Sequence, residues 1–198
     1  GERLELSKFL PVTKKMKYLL VGFLVLFLVG IIIPFHTNGK YLSGLALIGV
    51  AIWMLRNDII SIGLRKDGLT RFSAIALLLA NSWLLIGGFL MIVLPITLFS
   101  YDILVHLFFI GYAFSMIFAH GPIILPGVLG ITLKPYHPIL YGWLFLVQGS
   151  LLFRVGCDAY GSIEGRKISG ILTGIGIVLY FITLIATVIR TNYRAKEA

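Results

Sequence analysis

Residues 101–126 read YDILVHLFFIGYAFSMIFAHGPIILP, an apolar run longer than the roughly 20 residues that an α-helix needs to cross a bilayer. Two of the chain's four histidines, His106 and His120, lie within it. In a continuous α-helix this spacing is close to four turns, which predicts that both imidazoles face the same way, about 21 Å apart along the axis. Ionisable side chains inside a membrane segment are costly and usually functional, so this pair predicts a site.

The composition predicts that the rest of the chain has the same character. Of the 198 residues, 59% are hydrophobic and only 13% are charged, with a mean hydropathy of +0.99. Such values are typical of an integral membrane protein and not of a soluble globule. The sequence therefore predicts an all-α, polytopic membrane helix bundle forming one domain over residues 1–198. Its six transmembrane helices are predicted at about 17–34, 41–55, 72–99, 103–126, 138–155 and 168–189.

The distribution of basic residues predicts the orientation of this bundle. With the N-terminus in the cytoplasm, 13 of the 17 Lys and Arg residues fall on the cytoplasmic side. The basic residues on the outer side are Lys40, Arg154, Arg166 and Lys167. This asymmetry follows the positive-inside rule and predicts cytoplasmic N- and C-termini in the inner membrane of a prokaryote. The net charge of +9 then reflects topology and attraction to anionic lipid, so nucleic-acid binding is not expected.

The same topology sorts the four histidines by depth. His36 and His106 fall near the outer face, whereas His120 and His137 fall near the inner face. Two axial imidazoles at one depth are the ligands of a six-coordinate b-type haem. The pattern therefore predicts iron ligation by these histidines, with one or two haem b groups. Covalent haem attachment is not expected, because the chain has a single cysteine and no C-x-x-C-H motif.

Other polar residues are assigned supporting roles. Haem propionates are anionic and bind cationic side chains. Arg154 is the predicted outer partner, with Lys40 as its alternative, and Lys134 is the inner one. Structural roles are predicted for a further set, namely an N-cap at Asp102, an interfacial helix within 56–71, a close helix contact at Gly170 and Gly174 with Gly176 nearby, and interhelical hydrogen bonds from Asn81, Ser82 and Gln148.

The segment from His106 to Gly130 resembles NnrS-like proteins and short relatives of the haem–copper oxidase catalytic subunit. The positions that carry the resemblance are His106, Gly111, Met116, Ile117, His120 and Pro126. The resemblance implies a polytopic haem protein associated with nitric oxide or oxygen chemistry. The chain lacks the adjacent His-His pair that those oxidases use for copper, so a copper site is not expected.

The sequence leaves three functional hypotheses. The first is a haem b protein, an oxidoreductase or an electron carrier, that transfers electrons across the membrane or performs redox chemistry on nitric oxide or oxygen; no catalytic residue is assigned. Its partners would be the lipid bilayer, a redox protein or quinol, and a diatomic gas, in a homo- or hetero-oligomer. The alternative is a cofactor-free anchor or accessory subunit of a respiratory or assembly complex. The third, a solute channel or transporter, is disfavoured by the scarcity of intramembrane carboxylates.

Overall fold

A computed structural model describes residues 13–128, 130 and 136–197 of the chain. Within these residues all regular elements are helical and no strand occurs. The α-helices are α1 Lys14–Ile32, α2 Lys40–Asn57, α3 Ile60–Gly63, α4 Gly68–Val93, α5 Leu98–His106, α6 Ser115–Val128, α7 Leu140–Tyr160 and α8 Ile163–Glu197. A kinked segment, Phe35–Gly39, in which Thr37 has non-helical backbone angles, leads into α2, and a π-helix, Leu107–Phe114, leads into α6. The prediction of an all-helical chain is confirmed.

Six of the resulting helical segments are long and apolar enough to span a membrane. In order these spans are Lys14–Ile32, Phe35–Asn57, Gly68–Val93, Phe99–Val128, Leu140–Tyr160 and Ile163–Thr191. The fourth span thus joins α5, the π-helix Leu107–Phe114 and α6. Their number and order agree with the six predicted helices, and each overlaps its predicted counterpart.

Consecutive spans pack against each other through most of the bundle. Helix α1 packs on α2, α2 on α4, α4 on the fourth span, and α7 on both the fourth span and α8. Long-range hydrogen bonds join the helix ends: the Trp53 indole donates to the Met16 carbonyl at 2.7 Å, and the Lys40 ammonium to the Leu94 carbonyl at 3.2 Å. The start of one span therefore meets the end of the next, as antiparallel packing requires.

An aromatic stack satisfies a backbone group that a proline leaves without a donor. Pro122 lies inside α6 and has no N–H to bond the Phe118 carbonyl one turn earlier. The Tyr180 hydroxyl donates to that carbonyl at 2.7 Å, and its ring stacks on the Phe118 ring with centroids 3.8 Å apart. Both side chains are fully buried, so no water or lipid headgroup replaces this bond.

Replacement of Tyr180 with phenylalanine is expected to lower the free energy of unfolding by about 1–3 kcal/mol, because it keeps the stack but leaves the Phe118 carbonyl unsatisfied. Denaturation of the detergent-solubilised protein measures the change. Tyr160, which is 92% exposed, provides the matched Tyr→Phe control and should be neutral. Equal stability of the two variants would contradict the assignment.

Helices α2 and α4 approach most closely at a pair of glycines. A Cβ on Gly44 would lie 2.7 Å from the Gly88 carbonyl oxygen, and a Cβ on Gly88 would lie 2.8 Å from that of Gly44. By contrast, a Cβ on Gly170 or Gly174 would meet no described atom within 4 Å. The predicted close contact at those two glycines is therefore wrong within the described chain. Gly176, where a Cβ would lie 2.7 Å from the Val147 side chain, makes the α7–α8 contact instead.

We expect Gly44→Ala to lower the free energy of unfolding by about 1–3 kcal/mol, because the new methyl group meets rigid backbone and must push the two helices apart. Gly174→Ala is the matched control and should change stability little, since its methyl group enters open space. Thermal unfolding of both variants in one detergent tests the difference. A Gly44→Ala protein as stable as its control would show that the two helices are not in this contact.

Two local predictions require correction. Asp102 is not the N-cap of its helix, because α5 begins earlier, at Leu98, with Thr97 as the cap. Thr97 and Ser100 form a reciprocal capping box, in which each side chain accepts from the other's backbone N–H. The predicted interfacial helix within 56–71 is reduced to the four-residue α3, because α2 continues to Asn57 and α4 already begins at Gly68.

Candidate functional site

The fourth span carries both intramembrane histidines but is not a continuous α-helix. His106 is the last residue of α5, and the π-helix Leu107–Phe114 separates it from His120 in α6. A π-helix is wound more loosely than an α-helix, with i→i+5 hydrogen bonds, so it shifts the register of α6 relative to α5. The premise of a continuous α-helix is therefore wrong, and the shared face of the two imidazoles stays a prediction. Such π-helical insertions are frequent at functional sites.

Each of these histidines is oriented by the backbone of the preceding turn. His106 Nδ1 lies 2.8 Å from the Asp102 carbonyl oxygen, and His120 Nδ1 lies 2.7 Å from the Met116 carbonyl oxygen. A carbonyl can only accept, so Nδ1 carries the proton in both rings. At His106 the lone pair then resides on Nε2, which is the nitrogen that would bind a metal. Metal-bound histidines in proteins commonly show this arrangement of Nδ1 and a carbonyl.

A group of opposite charges surrounds His106 and distinguishes it from His120. The Arg154 guanidinium donates hydrogen bonds to Oδ2 of the Asp102 carboxylate, from Nε at 3.1 Å and from Nη2 at 2.9 Å. The Arg166 Nη2 lies 3.3 Å from the same Oδ2, and His106 Nδ1 lies 3.5 Å from it. We call this group the Asp102 cluster; its members are Asp102, His106, Arg154, Asp158 and Arg166.

The Asp102 cluster is electrically neutral and largely shielded. The Asp158 side chain is fully buried, and its Oδ1 lies 2.8 Å from Arg166 Nε, at an angle poorly suited to a hydrogen bond. The Arg166 guanidinium also lies 5.0 Å from the centre of the Phe99 ring. With two carboxylates and two guanidinium groups the formal charges cancel, which lowers the cost of burying them.

Three consecutive spans supply this cluster because the chain turns sharply between the last two. Gly161, with φ of 72°, ends α7, and α8 begins at Ile163. This short connection places Arg166, in the first turns of α8, against Arg154 and Asp158 near the end of α7. Sequence reasoning treated Asp102 and Asp158 separately and missed the cluster. The signal available in the sequence was that two acidic and two basic residues fall at predicted helix ends on one side of the membrane.

The remaining predicted ligands lie at the surface or outside the described residues. His36 is exposed in the segment Phe35–Gly39. His137 is exposed before α7, and its Nδ1 accepts from the Ile139 N–H at 3.2 Å. Lys134 lies outside the described residues. The depth pairs His36–His106 and His120–His137 stay predictions. In the described ranges, no three His, Cys, Asp or Glu residues gather as a metal group, which does not bear on a haem held by one or two imidazoles.

The polar residues at mid-span divide between two roles. Gln148 accepts a hydrogen bond from the Trp83 indole and donates to the Ser115 hydroxyl at 2.8 Å, which confirms its predicted interhelical role. Asn81 and Ser82 instead donate to carbonyls one turn earlier in their own helix, at 2.8 Å each. The interhelical prediction for these two is wrong, because their side chains bond the local backbone.

These features define a protein class: a bundle of six helices of membrane-spanning length, in which a cluster of charged side chains with no net formal charge lies where three of the helices meet. The family described as a domain of unknown function, DUF8744, matches residues 1–189, and the chain belongs to that family. No curated protein and no solved structure matches the chain. The resemblance to NnrS-like proteins stays a prediction.

Proposed function

We propose that the chain is a multi-pass membrane protein that binds haem b through Nε2 of His106. The observation that carries this proposal is the position of the Asp102 carboxylate, 3.5 Å behind His106 Nδ1 and held there by two arginines. A carboxylate behind the protonated nitrogen increases the basicity of the opposite nitrogen and keeps the ring in one orientation.

The side chains of the Asp102 cluster include a nitrogen ligand of the type that haem iron binds. His106 Nε2 is the donor atom that the cluster presents, and the His106 side chain is 27% exposed. Arg154 is 15% exposed and already engaged with Asp102. We therefore assign Arg154 a positioning role toward Asp102, while propionate binding by Arg154 stays a prediction from the sequence. A haem held by His106 would supply redox chemistry, or binding of nitric oxide, carbon monoxide or oxygen.

A location in the cytoplasmic membrane of a prokaryote is part of the proposal. Large apolar side chains are exposed on all six spans, for example Leu28 at 60%, Phe89 at 55% and Ile171 at 63%. Apolar surface of this extent is suited to lipid and unsuited to water. The excess of Lys and Arg on one side then favours cytoplasmic N- and C-termini.

The test is an oxidised and a dithionite-reduced visible spectrum of the purified protein, expressed with ample haem, together with a haem count per chain. We expect at least one haem b per chain and a reduced spectrum that shifts on addition of carbon monoxide. Sharp reduced α and β bands without a shift would instead indicate two axial histidines. The absence of a Soret band would overturn the proposal and favour the cofactor-free accessory subunit.

A further inference from the structure

Lys40 is a buried cation that lacks a carboxylate partner among the described residues. It is 8% exposed and is the first residue of α2. Its Nζ donates to the Leu94 carbonyl at 3.2 Å and lies 4.8 Å from the centre of the Tyr41 ring. The carbonyl lies at the C-terminal end of α4, where a cation is favoured. These contacts orient the ammonium group but supply no formal negative charge, and a buried unpaired charge is costly.

Lys40 lines the smaller of two adjacent cavities. Its cavity, of about 10 Å³, shares four wall residues with a larger one of about 200 Å³. The shared wall residues are Phe35, Met91, Tyr101 and Leu104. The ammonium group therefore lies next to a larger space bounded by α1, α2, α4 and the fourth span.

The larger cavity is walled by apolar residues, half of which are aromatic. Its aromatic residues are Phe27, Phe35, Trp83, Tyr101, Phe108 and Phe109. Phe108 and Phe109 are consecutive residues of the π-helix and pack edge to face, with ring centroids 5.3 Å apart. The Trp83 indole N–H is already bonded to Gln148. The walls consequently suit a hydrocarbon chain, and none of the four histidines lines the cavity.

We propose that Lys40 and this cavity bind an anionic membrane lipid, with its phosphate headgroup on Lys40 and part of one hydrocarbon chain among the aromatic side chains. A cavity of about 200 Å³ is smaller than the roughly 300–1,000 Å³ of pockets that enclose drug-sized ligands, so it accepts a chain segment and not a macrocycle. This inference rests on the proposed membrane location and is independent of the haem.

The test uses Trp83, which lines the cavity, as a fluorescent reporter. Trp53→Phe and Trp143→Phe leave it as the one tryptophan of the chain. Delipidated protein is titrated with phosphatidylglycerol or phosphatidylcholine that carry the same brominated chains, because bromine quenches tryptophan on contact. We expect half-maximal quenching at an about fivefold lower mole fraction of phosphatidylglycerol, from the attraction of one cation near the membrane surface. Equal quenching by both lipids would overturn the proposal.

Variants separate the headgroup from the chain. Lys40→Met should abolish the preference, whereas Lys167→Met, at an exposed lysine predicted on the same side, should retain it. If Lys40→Met does not fold, Gly87→Leu replaces it in the test. The Cβ of this leucine would make only ordinary van der Waals contact, and its side chain would narrow the cavity. The variant should therefore weaken quenching by both lipids. Unchanged quenching in the variant that folds would overturn the site.

A phosphate competition identifies the source of the anion, and a parallel haem count separates failure of the lipid proposal from failure of the haem proposal. Excess inorganic phosphate should not restore the fluorescence; if it does, the site takes soluble phosphate and the lipid proposal fails. The haem content of the same samples is measured in parallel. Its absence would contradict the proposed function while leaving a lipid preference intact, so the two failures are distinguishable.

Discussion

Replacement of His106 with alanine is expected to remove haem b from the purified protein. The substitution deletes the nitrogen that we propose as the haem ligand, on the histidine whose Nδ1 lies 3.5 Å from the Asp102 carboxylate. Iron ligation by a histidine depends on this nitrogen directly, so the loss should be complete and not graded. The haem-to-chain ratio, measured after purification from cells with ample haem, gives the result.

His120→Ala is the matched control for this variant. His120 lies on the same span and makes the same type of contact from Nδ1 to a carbonyl, at 2.7 Å. It is not part of the Asp102 cluster, so the haem at His106 should be retained in this variant. His36→Ala, at an exposed position, should also retain it. Loss of haem in His120→Ala with retention in His106→Ala would reverse the assignment.

Replacement of Arg154 with leucine is expected to lower the free energy of unfolding by about 3–5 kcal/mol, because it removes one partner of a mostly buried ion pair. Arg154 makes three contacts of 2.9 to 3.2 Å with the two Asp102 oxygens, and it donates to the Arg166 carbonyl at 3.3 Å. Without it the Asp102 cluster carries a net negative charge, which Arg166 alone cannot balance. Chemical denaturation in detergent measures the change.

Lys167→Leu is the control for a cation on the same side of the bundle. Lys167 is 65% exposed and pairs with the 80% exposed Glu164, so its loss should cost at most about 1 kcal/mol. The double variant Asp102→Leu with Arg154→Leu removes both charges and should recover much of the lost stability. A double variant no more stable than Arg154→Leu would show that charge balance is not what the arginine provides.

The helical architecture was predictable because it depends on composition over long windows. Apolar runs of membrane-spanning length require backbone hydrogen bonds within the segment, so helices follow from the sequence directly. The connection between α2 and α4 was less predictable, because its helix content depends on where the capping groups fall. The N-cap at Thr97 was missed for the same reason: Thr97 and Ser100 cap α5 through mutual hydrogen bonds, whereas the Asp102 carboxylate pairs with arginines from two other spans.

The candidate site was predictable only in part. His106 and Arg154 were both identified from their residue types and depth, but as direct partners of a haem and not as members of one cluster. The link between them is Asp102, and it depends on how three spans pack, which no local pattern encodes. The π-helix Leu107–Phe114 was also invisible, because its sequence, LFFIGYAF, is as apolar as an ordinary span. It alters the register between His106 and His120.

The measurement that tests the central claim most directly is the resonance Raman spectrum of the ferrous protein, recorded for the wild type and for Asp102→Asn. Ligation by His106 with a carboxylate behind Nδ1 predicts an iron–histidine stretching band that moves to lower frequency in Asp102→Asn, because the substitution removes the negative charge 3.5 Å from Nδ1 and the imidazole becomes less basic. A wild type without such a band, or a band at the same frequency in both proteins, would contradict the role of the Asp102 cluster in binding haem.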